Sequence, residues 1–534
     1  MVKKMDKEMK KLEEKYGNIE DFNDLMAERL KKLEKLKELD IEPYPYSFKK
    51  DISNNKLVQK YSKLTKEETI DENYAVAGRI TAIRKMGKAS FVVIYDGTAK
   101  LQLYLRQDNV GKEEYEHFKL VDIGDFFGAN GKVFKTKTGE VTIKVDKFEL
   151  LSKSIRPLPE KYHGIQDKEL RYRKRYLDLI MNPEVAETFK KRTLILNAMR
   201  EFLNKKGFME VEVPALQVLY GGGKAKPFIT HINAWDMKMF LSISPELYLK
   251  RLLVGGFEKV YTICKNFRNE GVDRSHNPEF TMLEVYQAYV DYEEMMKLME
   301  ESWEYCALKA NGTTKVKHKF KNSEGKIEEV ELDFKAPWKR LSMADAIKEF
   351  IGIDVLEMDE NKLMNYIHEK NIEYEGNLSW GYAVELLFEE FCEDKIIQPT
   401  HIINHPRGST PLCKKNRKNN RLLERFESAC LGMELCNAYS ELNDPIVQRR
   451  LLEEQSNDEI NFGDMRKKID KDFIEAIETG MPPAGGLGIG MDRLIILLTG
   501  AETIRDVILF PTMKPEKEDG VEEYKVIEPD EEKK

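Results

Sequence analysis

Cysteine is sparse and unpaired in pattern: six are scattered over 534 residues, with no C-x-x-C pair among them. That spacing excludes a disulfide framework and a thiolate zinc site, and it suits a reducing compartment. Long apolar runs are missing too. None approaches the roughly 18 residues of a membrane-spanning helix, and the first residues, "MVKKMDKEMKK", hold no apolar signal core. The chain is therefore expected to be soluble and cytoplasmic, with no membrane partner. Nor does one sign of charge dominate, since 87 basic and 94 acidic residues leave a net charge of −7. A general polycation that coats nucleic acid is excluded, while a local basic face stays open. What is present is a 41% hydrophobic, 34% charged composition, enough for a sizeable core under a very polar surface. The length calls for about three or four domains.

Residues 1–40 carry eleven basic and eleven acidic side chains, with Met26, Leu30, Leu33, Leu36 and Leu39 at near-helical spacing. One narrow apolar stripe results. A helix docked on a charged surface accounts for it, and an RNA-contacting appendage is the alternative. "EPYPYSF" (Glu42 to Phe48) then ends the helix, because proline cannot continue it. From residue 74 to 150 the runs "YAVAGRITAIR", "ASFVVIYDG", "KLQLYLRQD", "GDFFGANGKVFKT" and "GEVTIKVDKFELL" alternate between glycine or polar turns. Five short strands in such a span predict a small closed barrel of the OB type. Such barrels bind single-stranded nucleic acid by stacking bases on aromatics. Phe91, beside the basic "RKMGKAS", would supply a ring and Gln102 an amide; the bland alternative puts Phe91 in the barrel core.

"RPLPEKYHGIQDKELRYRKRYLDLI" (Arg156 to Ile180) is a basic connector, read either as a solvated linker or as nucleic-acid contact surface. Residues 183 to about 513 then mix long helical patterns with strand-like runs in no regular βαβ order, so a doubly wound parallel sheet is disfavoured. Residues 514–534 hold nine acidic and five basic side chains, and a disordered tail is expected. The organisation read from the sequence is a helical appendage over 1–70, a barrel over 71–153, a basic linker over 154–182, one large α+β domain over 183–513, and the tail.

Three stretches of the large domain bear on chemistry. "GFMEVEVPAL" (Gly207 to Leu216) reads as a helix stop, an alternating strand and a proline, and is weak by itself. In "KVYTICKNFRNEGVDRSHNPEF", Arg268 and Glu270 are two apart and would share one strand face. A structural ion pair is the commoner meaning of such neighbours. A strand-loop-strand that also presents His276 and Phe280, however, suits a nucleotide, with the guanidinium for a phosphate and the ring for a base. "GGLGIGMDRLIILLTG" (Gly485 to Gly500) resembles a dinucleotide fingerprint only superficially: its third glycine is misplaced, and no acidic residue follows within a βαβ unit. A glycine-floored strand entering a helix, with Arg493 at the join, fits it better. Between these lie Glu427, Glu434 and Glu441, seven residues apart. On a helix they would make a charged stripe. As a strand, "MELCNAYSEL" alternates so that Glu434, Cys436, Ala438 and Ser440 face one way and Asn437, Tyr439 and Glu441 the other. Carboxylates near a phosphate site imply Mg²⁺, a hard cation that takes oxygen ligands.

In this order the three stretches resemble motifs 1, 2 and 3 of the class II aminoacyl-tRNA synthetases. The finer likeness, from about residue 75 to 513, is to the class II lysyl-tRNA synthetases of the class IIb group. "GKASF", the connector quoted above, "KPFITH", "PELYLKRL", "RNEGVDRSHNPEFTM" and "NAYSELNDP" all carry that family's wording. The resemblance implies an antiparallel catalytic sheet flanked by helices, an N-terminal OB anticodon domain and a homodimer organised around motif 1. It implies activation of L-lysine by ATP to lysyl-adenylate, with Mg²⁺, and transfer of the lysyl group to the 3′ end of tRNA(Lys). On this likeness Arg268 bridges the lysine carboxylate and the α-phosphate. Glu270, His276 and Asn277 hold the ATP, Phe280 stacks on adenine, Arg493 covers its other face and the γ-phosphate, and Glu427 and Glu434 ligate Mg²⁺. Glu441 supplies the anion for the lysine ε-ammonium, with Asn437, Tyr439 and Tyr286 around it; Glu246 takes the α-amino group and Glu284 lies close by. Phe91, Gln102 and Glu140 fall at positions that read a U-rich anticodon.

The chain departs from the family's pattern at four places. "LSISPELY" stands where "LRIAPELY" is usual, losing an arginine at Ser242. Thr262 and Cys264 replace a glutamate and a glycine, and Lys224 enlarges a small position in a glycine-rich loop. Every expected contact residue is present, so activity is expected. An aspartyl- or asparaginyl-type relative is the nearest rival, opposed by Glu441, since an acidic substrate would need a cation there. A non-catalytic RNA-binding relative is opposed by the retention of Arg268, Arg493 and the glutamates.

Overall fold

The computed structural model describes residues 15–16, 22–159, 165–223, 225–321, 326–374, 378–460 and 469–515. Lys224 and the acidic tail from 516 onward lie outside the described residues. The chain divides into two compact units, residues 1–166 and 167–534.

In the first unit the alternating runs become five strands, β1 (Thr69–Met86), β2 (Ala89–Tyr95), β3 (Lys100–Arg106), β4 (Phe126–Lys135) and β5 (Val141–Ser152). They close in the order β1-β2-β3-β5-β4, with β4 returning to β1. Closure leaves no open edge. Val92, Ile94, Leu101, Leu103, Leu105, Ile143 and Val145 point inward and are buried, each contributing on the order of 2 kcal/mol. Phe91 belongs to the opposite, outer set of β2 and is only half-buried, which removes the core alternative. Helix α1 (Asp24–Glu38) is capped by Asn23, whose side chain accepts from Met26 N at 3.1 Å. Its stripe of Met26, Ala27, Leu30, Leu33 and Leu36 is buried, and Leu36 joins the barrel core. Leu39, expected on that stripe, is exposed because the helix has already ended. Arg29 donates to Ser154 O at 3.0 Å and Lys32 pairs with Asp122 at 2.6 Å. The helix is thus a docked element, and two shorter helices, α2 (Asn54–Lys60) and α3 (Lys112–Phe118), add Leu57, Tyr115 and Phe118 to the barrel core.

The second unit is built on an eight-stranded sheet. Its strands are β6 (Met209–Glu210), β7 (Lys259–Phe267), β8 (Glu279–Ala288), β9 (Lys339–Ser342), β10 (Thr400–Ile403), β11 (Arg425–Cys430), β12 (Met433–Ser440) and β13 (Ala484–Gly490). Their order is β9-β10-β11-β12-β13-β8-β7-β6, antiparallel except for the two outermost pairs. Helices α4 (Val185–Lys205), α5 (Glu246–Val254), α6 (Tyr292–Asn311), α7 (Met343–Ile351), α8 (Glu360–Glu369), α9 (Trp380–Phe391) and α10 (Met491–Thr499) surround it. The main core brings Met199, Met295, Met299, Trp303, Leu494 and Ile495 against Leu283, Val285 and Leu487 of the sheet. Helices α7, α8 and α9 make a satellite core of their own.

Two expectations change here. The alternating strand read into "GFMEVEVPAL" is only two residues long, pairing parallel to Val260 and Tyr261 after Gly207 turns the chain at φ +81°. The basic connector, where described, is not simply solvated. Arg175 is buried, pairs with Asp178 at 2.6 Å and donates to the carbonyls of Arg505, Ile508 and Leu509. Arg171 holds the other oxygen of Asp178 at 2.7 Å. Arg175 thus caps carbonyls near the C-terminal end of the unit while Arg171 helps to hold its carboxylate partner, a use that their sequence density does not reveal.

Candidate active site

The hairpin β7–β8 supplies the first wall of a cleft. Its ladder is regular from Lys259↔Gln287 to Phe267↔Glu279, so Arg268 and Glu270 lie just past the strand and not on it. The chain leaves the ladder because Asn269 N donates to Lys226 O at 2.8 Å, and Lys226 N in turn donates to Glu270 Oε1 at 3.2 Å. The loop is stiffened by Asp273, whose Oδ1 accepts from Ser275 N and His276 N at 2.7 and 2.8 Å while Oδ2 pairs with His276 Nδ1 at 2.8 Å. Partial burial works against that charge, but these bonds hold the Asp273 carboxyl down at about 2. Arg268 carries its guanidinium 5.1 Å from the Phe280 ring centre, and its Nε is buried without a partner. A buried donor left open in this way costs stability unless something fills it.

The second wall is β13 running into α10. Arg493, three residues into α10's first turn, donates to Glu434 O at 2.5 Å and Oε2 at 3.2 Å and reaches His276 Nε2 at 3.4 Å. Its neighbour Asp492 is buried and accepts from Arg192 at 2.6 Å and from Thr281 N at 2.7 Å, tying α4, β8 and α10 together. Asn277 also lines the cleft. Its amide is partly committed to the fold, accepting from Thr512 N at 3.2 Å and donating to Glu279 O at 2.6 Å.

β11 and β12 form the floor. Here the simple alternation fails. Ser428 pairs with Cys436, but the next residue, Ala429, pairs with Glu434, so Leu435 is an extra residue on β12. A bulge of this kind reverses the facing of what lies beyond it. Glu434 is consequently brought to the side of Glu427 and Asn437, whereas alternation would have set it opposite Asn437. Both carboxylates line the same cleft. Among the described residues no group of three or more His, Cys, Asp or Glu side chains forms a complete metal cage. Two carboxylates on adjacent strands, one of them with a substantially exposed side chain, do fit Mg²⁺, which keeps several waters and takes one or two carboxylates plus phosphate oxygens. Arg425 contacts Glu427 and donates to Asn437 Oδ1 at 3.1 Å. Nothing in the linear sequence marks Arg425 as their neighbour.

Deeper in the cleft is a closed box of charge. Glu441 is 0% exposed, Glu284 3% and Glu246 5%, three carboxylates within one buried cluster. Tyr439 OH donates to Glu246 Oε1 at 2.5 Å; Ser244 and Tyr286 donate to Glu284 at 2.8 and 3.2 Å. Burial, with Glu246 nearby, pushes Glu284 up to about 8. Burial likewise pushes Glu441 up to about 8, against the pull of Lys250. Lys250 is itself wholly buried, with Nζ 2.6 Å from Glu246 Oε1 and 2.5 Å from Glu441 Oε2. Neither oxygen of Glu441 has a well-directed hydrogen bond. Room for Glu441 exists because residue 486 is glycine: a Cβ there would lie 1.9 Å from Glu441 Oε1.

The three described departures from the family pattern, Ser242, Thr262 and Cys264, lie on elements that carry or adjoin this box. Thr262 stands directly across the ladder from Glu284, and Cys264 across from Met282. The usual glutamate at 262 would add a fourth carboxylate beside Glu284. Burial, with the charge of Glu284, raises the Cys264 thiol to about 12, so it is inert. Ser242 is buried and hydrogen bonded to Gln217 at 3.0 Å. Of the residues anticipated in the cleft, Arg268, Glu270, His276, Asn277, Phe280, Glu427, Glu434, Arg493, Glu246, Glu284, Tyr286, Asn437, Tyr439 and Glu441 all line one cavity of about 690 Å³. Lys250, Ser244, Arg425 and Asp492 were not anticipated. Lys250 lies four residues after Glu246 on α5, a spacing that in sequence reads as a surface ion pair.

On the barrel, Phe91 packs against Tyr104 with ring centres 4.9 Å apart, and Tyr104 against Phe134 at 6.1 Å. Gln102 donates to Thr142 Oγ1 at 3.0 Å, and that hydroxyl donates to Glu140 O at 3.2 Å. The three expected residues therefore share one patch, with Tyr104 and Phe134 as additions.

Residues 167–514 match the family described as tRNA synthetases class II (D, K and N), and residues 74–151 match the OB-fold nucleic acid binding domain. A lysine–tRNA ligase of Clostridium novyi is 50% identical over 502 residues, covering 93% of this chain and 96% of its own length. Lysine–tRNA ligases of Clostridium kluyveri and Clostridium perfringens are each 48% identical, over 93% and 94% of this chain and 97% and 99% of their own. All six cysteines are free thiols, and no described helix is long and apolar enough to cross a membrane.

Proposed function

This chain belongs to the class II tRNA synthetases of the D, K and N group, and from that premise we propose that it acts as a lysine–tRNA ligase, through the side chains of the cleft just described. The observation that carries the choice of lysine is the buried box of Glu246, Glu284 and Glu441. A buried carboxylate without a cation is prohibitive, so the box admits an amino acid that brings an ammonium on its side chain and rejects neutral ones. Aspartate or asparagine, the rivals within the same group, would meet carboxylates where they need a cation or a neutral donor.

In the first step the lysine carboxylate attacks the α-phosphorus of ATP in line, and the bond to the bridging oxygen breaks to release pyrophosphate. No protein nucleophile is needed; positioning and charge neutralisation supply the rate. Arg268 is placed to bind both the carboxylate and the α-phosphate, a role supported by its open Nε. Phe280 offers the adenine a ring; Arg493 and His276, held together at 3.4 Å, meet the far side of the nucleotide, and Glu270 and Asn277 fix the loop around it. Glu427 and Glu434 would hold Mg²⁺, which supplies positive charge to the phosphates. Glu246 takes the α-ammonium, and Glu441, with Asn437, Tyr439 and Tyr286, the ε-ammonium. In the second step a hydroxyl of the terminal tRNA ribose attacks the lysyl carbonyl and AMP leaves.

The barrel patch of Phe91, Gln102 and Glu140 reads the anticodon, by stacking and by amide and carboxylate contacts. A homodimer is supported by the exposed apolar side chains of Met209, Leu216, Val218 and Ile229 around motif 1. The setting is the cytoplasm, in translation. A non-catalytic RNA-binding relative would not need Arg268, Arg493 and the three buried carboxylates together. The deciding experiment is ATP–pyrophosphate exchange with each of the twenty amino acids in turn. Lysine alone should stimulate it; exchange with aspartate or asparagine, or with none, overturns the assignment.

A further inference from the structure

Lys250 belongs to none of the roles above, yet its ammonium sits at the centre of the box. Buried lysines are rare unless paired, and this one is paired twice, to Glu246 at 2.6 Å and to Glu441 at 2.5 Å, with the Tyr439 ring centre 5.5 Å away. It is held on α5, the same helix as Glu246, while Glu441 comes from the end of β12 and Glu284 from β8. One lysine thus joins the two carboxylates that would receive the two ammonium groups of the substrate.

We propose that Lys250 is a positioning residue that sets the charge balance of the lysine pocket, so that the pocket is neutral only when it holds an amino acid of net charge +1. The bookkeeping is short. Glu246, Glu284 and Glu441 can carry three negative charges, and Lys250 with Arg268 carries two positive ones. Free lysine, with two ammonium groups and one carboxylate, supplies the missing unit. Without lysine the box has an excess carboxylate, and it must hold protons to remain buried. The raised carboxyls of Glu284 and Glu441 agree with that. The remaining groups that face Glu441 cannot take the charge: the Tyr286 and Tyr439 hydroxyls and the Cys413 thiol are all held in their neutral forms by burial. Lysine binding is therefore coupled to loss of protons from the glutamates. If Lys250 were absent, the box would need one further proton both empty and loaded, so bound lysine alone would no longer leave it neutral.

This proposal rests on lysine being the substrate, and lysine-dependent pyrophosphate exchange by the wild-type enzyme tests that separately. The test of Lys250 is calorimetric titration of the full-length enzyme with L-lysine in two buffers of different ionisation enthalpy at about pH 7. The wild-type enzyme should release about one proton per lysine, and the calorimetric lysine affinity of Lys250→Met should fall roughly tenfold or more. In steady-state exchange Lys250→Met should raise the lysine KM roughly tenfold or more while the ATP KM stays within about threefold. Restoring the cation with Lys250→Arg should recover part of the lysine affinity. An unchanged lysine KM in a folded Lys250→Met enzyme would overturn the proposal. Should Lys250→Met not fold, the wild-type titration still decides: lysine binding without proton release excludes the charge-balance role.

Discussion

Gly486 lies across one ladder from Tyr439 and across the next from Tyr286, and its missing side chain is what lets Glu441 occupy the floor of the pocket. Gly486→Ala would place a carbon 1.9 Å from Glu441 Oε1 and 2.6 Å from the Tyr286 ring. Overpacking of this kind costs about 1–3 kcal/mol, and here it displaces the carboxylate. We expect the lysine KM to rise roughly tenfold or more and the ATP KM to change far less; equal effects on both substrates would mean that the cleft as a whole had moved. Glu441→Gln removes the anion but keeps the shape. Leaving a charged partner buried and unpaired costs about 3 kcal/mol, so the lysine KM should rise on the order of 100-fold. Unchanged lysine affinity in that variant would show that the ε-ammonium is bound elsewhere.

At the level of elements, the site depends on two joints that orient strands and helices. One is the bulge at Leu435, which brings Glu434 to the cleft face together with Glu427. The other is Asp492, whose two oxygens bind Arg192 of α4 and the backbone of Thr281 in β8. This carboxylate fixes the first turn of α10 and hence the direction of Arg493. Asp492→Ala should cost about 3 kcal/mol of stability, because Arg192 is left without its buried partner. Chemical denaturation would measure it, and a loss well under about 1 kcal/mol would show the pair to be dispensable. The local sequence announces neither joint. The bulge follows from how β11 and β12 pair, and Asp492 reads as an ordinary acidic residue in a helix's first turn.

Considering the whole molecule, the two units divide the chemistry between them. All cleft residues lie in the second unit, and the aromatic patch proposed to read the anticodon lies in the first. Phe91→Ala should therefore raise the tRNA KM in aminoacylation roughly tenfold, as one lost stacking contact of about 1–3 kcal/mol predicts. Lysine-dependent pyrophosphate exchange, which needs no tRNA, should be unchanged; a parallel loss there would contradict the division. Global stability carries the signature of the box. Glu284 and Glu441 are both raised to about 8 from 4.5. The folded chain keeps protons that the unfolded chain has lost, so this contribution is complete below about pH 4.5 and disappears as the pH rises through about 8. Glu300 is the opposite case: burial works against its charge, but His401 and Arg340 hold it down at about 2. Its contribution is present above about pH 4.5 and is lost only in acid, outside that window. His318, His401 and His405, all depressed by burial, work the other way up to about pH 6.5, so the melting temperature of the ligand-free enzyme should fall between about pH 6.5 and pH 8, and Glu284→Gln should flatten the fall. A slope unaffected by Glu284→Gln would mean that this carboxyl is already ionised.

The linear sequence was enough to specify the barrel, because strict alternation in "ASFVVIYDG" and "KLQLYLRQD" allows only one buried face per strand. It also determined the chemical class of the cleft, because the motif residues lie in long, specific stretches whose order along the chain survives folding. Only the tertiary structure decided which of those residues meet and in what charge state. Arg268 and Glu270 left their strand for a loop, Glu434 changed faces at a bulge, and Arg175 of the connector went to carbonyls far along the chain. Lys250 emerged as the buried cation between Glu246 and Glu441. The reason is physical: alternation and helical spacing are set by neighbours along the chain, whereas the charge of a buried group is set by everything the fold packs around it.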